Sequence, residues 1–294
     1  PAFASRVRFN ALVNASDAFG GLTRYRLINH SFQTLLPSRR YGEEHPEWYA
    51  FRDGERRWDV GGRDWASDGT EPCCSNPEVI ATVATNTLKQ LAGHPEWQNI
   101  SVSQNDNDLY CQCVACTAID GIEESHMGSL LRLVNAVARA VEQDHPDAKV
   151  GTLAYRYSRK PPAKTEPRDN VQIQLCSFEC CQVHRLADAE CPANAAFADD
   201  LRGWAAICND IYIWHYVVNF RNYLAPCPNV THLGEDIRFL ARHNVKGIMA
   251  QGAWNARGAA FADLRNYILG HMMWDPTRDP DALMDEFLTL HYGE

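Results

Sequence analysis

The chain has 294 residues, 45% hydrophobic and 22% charged, with a formal net charge of -9. That length suits one large α/β domain with a sizeable core. The acidic balance, without a basic stripe, argues against nucleic acid as a partner, and no apolar run approaches the roughly 18–20 residues that span a bilayer.

The chain shows no internal repeat and no low-complexity linker. Pro1 opens no signal segment, so the sequence reads as a mature chain or an excised domain, with room for flanking domains outside it. What recurs is a rhythm of short β-branched runs and amphipathic segments, which predicts βα units and a parallel sheet. Arg6–Asn10 and Tyr25–Phe32 read as the first two strands, the second carrying Asn29 and His30. A long insertion, residues 33–74, follows; loops of that length are more often functional than not. Its Trp48, Tyr49, Trp58 and Trp65 are candidates to wall a cleft or to pack the insertion onto the domain.

A helix is expected from Ser75, as N-cap, to about Leu91. Asn99–Ser103 is a buried strand that runs into the polar turn Asn105-Asp106-Asn107-Asp108. Residues 128–143 carry apolar positions at helical spacing. Strands are expected at Lys149–Tyr155, Val171–Glu179, Asp210–Tyr216 and Val245–Gly252, with helices at Phe197–Ala206, Gly234–His243, Asp263–Trp274 and Asp281–Tyr292.

Seven strands make a (β/α)8 barrel the economical reading, a single domain over residues 1–294 with the first strand absent or divergent. A doubly wound open sheet is the alternative, but no glycine-rich phosphate loop follows any strand. In a barrel the strand ends converge. They would present Asn29, His30, Asn105, Asp106, Tyr155, Glu179, Trp214, Tyr216 and Gln251: carboxylates, amides and aromatic faces with no nucleophile elbow. Acid–base cleavage of a glycosidic bond needs a protonated carboxylic acid and a partner group. Asp106 and Glu179 are the best carboxylates for that work. The histidines are scattered singly, against a metal hydrolase.

The eleven cysteines cluster: Cys73-Cys74, then Cys111, Cys113 and Cys116, then Cys176, Cys180, Cys181 and Cys191, with Cys208 and Cys227 apart. Disulfides in an oxidising compartment compete with zinc bound by the Cys111 triplet plus Cys73 or Cys74. Following the acid-bearing turn directly, the triplet reads more as a disulfide staple than as a metal site. Sequons at Asn14, Asn99 and Asn229 permit a secreted, extracytoplasmic life.

The succession NHSFQTLLPSRRYGEEHPEWYAF, CCSNPEV, SVSQNDNDLYCQCVAC, LLRLVNAVA, GTLAYRY, LCSFECC, YIWHYVVNFRNYLAPCPN and GIMAQG resembles the domain of unknown function 4838 family, which includes glycoside hydrolase family 163. The resemblance runs from about Arg24 to Gly293. It implies an endo-β-N-acetylglucosaminidase acting on the chitobiose core of complex N-glycans in glycoprotein substrates, without metal or organic cofactor. It further implies a retaining mechanism in which the sugar's own 2-acetamido group attacks the anomeric carbon.

Hexosaminidase-like barrels place the polarising group and the acid at the end of the fourth strand. If the missing strand is the first, Asn105 becomes the polariser and Asp106 the acid/base, with Glu179 the rival acid. Strand-end placement makes Tyr155, Trp214 and Tyr216 a sugar platform, and Asn29, His30 and Gln251 binders of hydroxyls. An inverting glycosidase resembling α-glucuronidases, and a non-catalytic glycan-binding barrel, are the competing readings.

Overall fold

The computed structural model describes residues 25–27, 29–59, 70–253, 256 and 258–293. The candidate strand Arg6–Asn10, the sequon at Asn14 and Trp65 lie outside them. Contacts group the described chain into two compact units: Thr23–Leu175 with Ala206–Asp210, and Cys176–Ala205 with Ile211–Glu294.

The first unit is built on parallel strands. β1 (Tyr25–Arg26) leads to two single-turn helices, α1 (Phe32–Leu35) and α2 (Ser38–Tyr41). The insertion then forms a hairpin, β2 (Phe51–Arg52) and β3 (Glu55–Arg56). Asp53 and Gly54 form its turn, with φ of 51° and 88°. Two positive φ values are what a tight type I′ turn demands, and Asp-Gly is the dipeptide that supplies them cheaply. α3 (Pro77–Ala92), β4 (Asn99–Ser101), α4 (Val114–Glu123), α5 (Met127–Asp144), β5 (Lys149–Ala154) and β6 (Val171–Cys176) complete the unit's regular elements. β4 pairs in parallel with β1 and with β5, and β5 with β6.

The helices bury the stripes the sequence announces. Val79, Val83, Thr87 and Leu91 of α3 recur every four residues. α5 buries Leu130, Leu131, Val134, Val137, Ala138 and Val141, and the two helices pack together. β5 is buried from Val150 to Ala154, and β6 is buried at all but one position. Strands buried on both faces are what a parallel sheet covered by helices shows, although β6 puts Gln172 and Gln174 on one of its faces.

Two local expectations are corrected. The predicted strand Tyr25–Phe32 stops at Arg26, because Leu27 takes a left-handed backbone, φ 53°, which no β-branched pattern betrays. The N-cap of α3 is Asn76 rather than Ser75. The Asn76 Oδ1 accepts from Glu78 N and Val79 N, while the Ser75 hydroxyl turns to Cys116.

The second unit contains α6 (Pro192–Ile207), β7 (Ile211–Tyr216), α7 (Leu233–Arg242), β8 (Val245–Gln251), α8 (Ala262–Trp274) and α9 (Pro280–Tyr292). β7 alternates: Ile211, Ile213 and His215 are buried, Tyr212, Trp214 and Tyr216 half-buried. β8 pairs with it in parallel, Tyr216 opposite Gln251. Val217, Leu233, Ile237, Ile268, Leu269 and Met272 form the core beneath α7 and α8. The chain is thus a mixed α/β protein with parallel strand pairing. Among the described residues a complete eight-stranded barrel is not shown, and no helix is long and apolar enough to cross a membrane.

Candidate functional site

The end of β4 is held by buried hydroxyls and amides. Ser101 Oγ donates to Asn29 O at 2.6 Å, and Ser31 Oγ accepts from Ser103 N at 2.9 Å. Leu153 N donates to Ser103 Oγ at 3.1 Å. Gln104 donates to Tyr155 O at 3.1 Å and to Ser158 Oγ at 2.6 Å. Ser103, Gln104 and Asn105 have no exposed surface. Buried polar groups tied by this many directional bonds fix one backbone path, although Gln104 Oε1 is buried without a hydrogen-bond partner, so the next residue, Asp106, leaves the core in a defined direction.

Asp106 is the first exposed side chain after the strand, 44% accessible. Tyr155 donates its hydroxyl to Asp106 Oδ1 at 3.1 Å. His30 Nδ1 lies 2.7 Å from Gln104 O, and a carbonyl can only accept, so Nδ1 carries the proton. The other ring nitrogen, Nε2, then faces Asp106 Oδ1 at 4.0 Å. Arg156 Nη1 stands 3.9 Å from the same oxygen, and its Nη2 pairs with Asp108. Arg156 has φ 51°, a left-handed backbone that costs about 1 kcal/mol or more outside glycine and that clusters at functional sites.

Thus Asn29, His30, Asn105, Asp106 and Tyr155 are brought to one place in the first unit. Asn105 turns inward, however. Its Nδ2 donates to Thr70 O at 2.5 Å and its Oδ1 accepts from Gln33 N at 3.4 Å. As placed, it anchors the turn and offers no free amide to a ligand.

Two residues of this site were not singled out in the sequence. Arg156 is one. Glu71 is the other: fully buried, it accepts from Asn105 N at 2.9 Å through Oε1, while Oε2 has no partner. Burial pushes its carboxyl well above the ordinary range, against the Asn105 donor. It lies in an aperiodic insertion, where only its position before Cys73 could have flagged it. That insertion is structural near the turn. Trp48 and Tyr49 are buried, Trp48 donating to Glu78 Oε2 at 2.9 Å, so they do not wall an open cleft. Arg52 donates to Asp108 O at 3.0 Å and to Tyr110 O at 3.3 Å.

Past the turn, Cys73, Cys111, Cys113 and Cys116 bring four sulfurs within 4.8 Å of one another. All eleven cysteines are free thiols in the structure, where the expected staple is not a disulfide. α4 starts at this cluster, with Cys113 as its N-cap. Its other end is tied down by Glu123, buried and accepting from Lys164 N, Thr165 N, Thr165 Oγ1 and Arg132. Burial would raise that carboxyl, but these donors outweigh it and hold it down to about 2.

In the second unit, Trp214 Nε1 donates to Gln251 Oε1 at 2.6 Å and stacks near Tyr216, ring centroids 6.3 Å apart at 19°. Tyr216, Phe178, Phe220, Gln182, Asn219 and Arg221 line a cleft of about 550 Å³. Glu179 is exposed in the turn after β6, next to Phe178. Ser177 Oγ lies 2.9 Å from His215 Nδ1, but both are buried and Ser177 Oγ also accepts from Tyr216 N, so the pair braces the strand end. The sequons at Asn99 and Asn229 are unusable as folded: both asparagines are buried, donating to Gln172 Oε1 and Gln182 Oε1.

The family described as "Domain of unknown function (DUF4838)" matches residues 2–294, and the chain belongs to it. No curated protein matches the chain.

Proposed function

We propose that this DUF4838 member is a glycoside hydrolase that cleaves β-linked N-acetylglucosamine in N-glycans, as an endo-β-N-acetylglucosaminidase of the family 163 kind on a (β/α)8-type barrel. The observation that carries the reading is Asp106, delivered half-exposed by a fully buried strand end, with Tyr155, His30 Nε2 and Arg156 around one of its oxygens. A parallel strand that ends in a braced carboxylate is how such scaffolds present acid–base groups.

In this reading Asp106 gives its proton to the glycosidic oxygen as the bond to the anomeric carbon breaks. The substrate's acetamide oxygen closes on that carbon from the opposite face. Water then opens the ring with Asp106 taking the proton back, and configuration is retained. Asn105, engaged with Thr70 and Gln33, positions the turn rather than the acetamide. Tyr155 and His30 orient Asp106. Within the second unit, the aromatic face of Trp214 and Tyr216 and the cleft beside it suit sugar rings, with Gln251 orienting the indole; within the first, the Asn29 carbonyl accepts from Ser101 behind the Asp106 turn. Glu179, exposed beside Phe178, remains the rival acid. The substrate class implies an extracytoplasmic setting.

The test is incubation with a glycoprotein bearing complex N-glycans, read by mass spectrometry. The reading expects glycans released with one core N-acetylglucosamine left on the asparagine. An inverting glycosidase would instead release a terminal sugar with inverted anomeric configuration, and a binding barrel would retain glycan and release nothing.

A further inference from the structure

The four sulfurs of Cys73, Cys111, Cys113 and Cys116, brought in from separate parts of the first unit, converge on one point. Cys73 Sγ and Cys113 Sγ are 3.6 Å apart, and all four sulfurs lie within 4.8 Å of one another. A disulfide needs about 2.05 Å. A zinc ion with four thiolates at about 2.3 Å sets its sulfurs roughly 3.8 Å apart along each tetrahedral edge. Cys73, Cys111 and Cys116 are buried and Cys113 half-buried, so the set faces inward from several directions of the chain.

The surroundings are those of thiolates. Phe51 N donates to Cys111 Sγ at 3.3 Å and Cys116 N to Cys113 Sγ at 3.5 Å. The Arg56 guanidinium reaches Cys111 Sγ at 3.9 Å. The Ser75 hydroxyl lies 3.1 Å from Cys116 Sγ, 3.6 Å from Cys73 Sγ and 3.7 Å from Cys113 Sγ. Backbone N–H groups and a guanidinium aimed at sulfur, as at Cys111 and Cys113, are partners of the kind that orient metal-bound thiolates.

We propose that these four cysteines bind one zinc ion as a closed, structural site. Each thiol loses its proton on binding, giving a tetrathiolate of net charge -2 that Arg56 and the first turn of α4 offset. Four protein ligands leave no open position, so the ion does no chemistry. It ties three segments together: the insertion at Cys73, the strand-like run at Cys111 that pairs with the β2 hairpin through Gln112 N to Phe51 O, and the start of α4. The turn Asn105–Asp108 lies between the first and second of these. Its position is therefore set from one side by the β4 network and from the other by the metal.

The experiment is metal analysis of the full chain purified without chelator, with zinc chloride and cobalt chloride as probes. One zinc per chain is expected, and cobalt substitution should give a thiolate charge-transfer band with tetrahedral visible absorption. Cys113→Ser, at the more open ligand, should lose the bound zinc. Cys208→Ser, distant from the cluster, and Cys181→Ser, from the separate Cys181–His184–Cys191 group, should keep it. Should Cys113→Ser fail to fold, the cobalt spectrum of the parent chain decides alone. A folded parent that takes up no zinc, holds iron instead, shows a disulfide among these cysteines, or loses its metal in Cys181→Ser but not in Cys113→Ser would overturn the proposal.

Discussion

The turn at Asn105–Asp108 and the cleft beside Tyr216 are built on opposite plans. The turn is fixed by short, buried, polar contacts: Ser101, Ser103, Gln104, Asn105 and Glu71 are all buried, and each has a directional partner. The cleft is lined by aromatic edges, Tyr216 against Phe178 at 5.4 Å and against Phe220 at 5.4 Å, with Arg221 and Asn219 at its border. Hydrogen-bonded networks hold one geometry and break when one member is removed. Aromatic surfaces tolerate small shifts and supply contact area. The first plan fixes the direction of one carboxylate; the second offers aromatic contact area, and the proposed function gives the two different tasks.

Substitutions can break or sharpen that contrast, beginning with the largest effect. Glu123→Ala removes the acceptor for two backbone N–H groups, one hydroxyl and Arg132, and should cost about 3 kcal/mol of stability, measured by chemical denaturation. Glu123 also predicts an acid limb. Its folded value of about 2 lies below the ordinary glutamate value near 4.3. Its stabilisation is therefore complete above that ordinary value and is lost as pH falls from about 4 towards about 2. In Glu123→Ala this limb should flatten; an unchanged limb would place the acid sensitivity elsewhere.

Tyr155→Phe deletes one hydrogen bond to Asp106 while leaving the fold intact. A loss of about 0.5–1.5 kcal/mol, roughly two- to tenfold in kcat with KM nearly unchanged, is expected. A change confined to KM would move Tyr155 from the proton to the sugar. Tyr216→Ala should do the reverse, weakening binding by about 1 kcal/mol, roughly fivefold in KM, with kcat spared. If Tyr216→Ala lowers kcat as far as Tyr155→Phe does, the division of labour between the two regions fails.

Much of this was legible in the sequence. Residues at helical spacing pointed to α3 and α5, and short β-branched runs to β5 and β6. The turn at the end of β4 could be placed because a short apolar strand hands over there to the polar run Asn-Asp-Asn-Asp. What stayed hidden depended on single backbone angles or on contacts distant in sequence. The strand at Tyr25 ends early at the left-handed Leu27. By sequence Asn105 reads as a ligand-facing amide, but its partners, Thr70 and Gln33, lie in or beside an insertion without periodicity. The same insertion hid Glu71 and turned Trp48 and Tyr49 inward. The cysteine triplet was visible; that Cys73 rather than Cys74 completes it required the fold.

The central claim is that Asp106 carries the proton. Its most direct test compares glycan release from a complex N-glycoprotein by the parent chain, Asp106→Asn and Glu179→Gln, each first shown to be folded by circular dichroism. The account predicts a loss of about 10²–10⁴-fold in Asp106→Asn, with Glu179→Gln close to the parent. Full activity in Asp106→Asn, with the loss falling on Glu179→Gln, would contradict it.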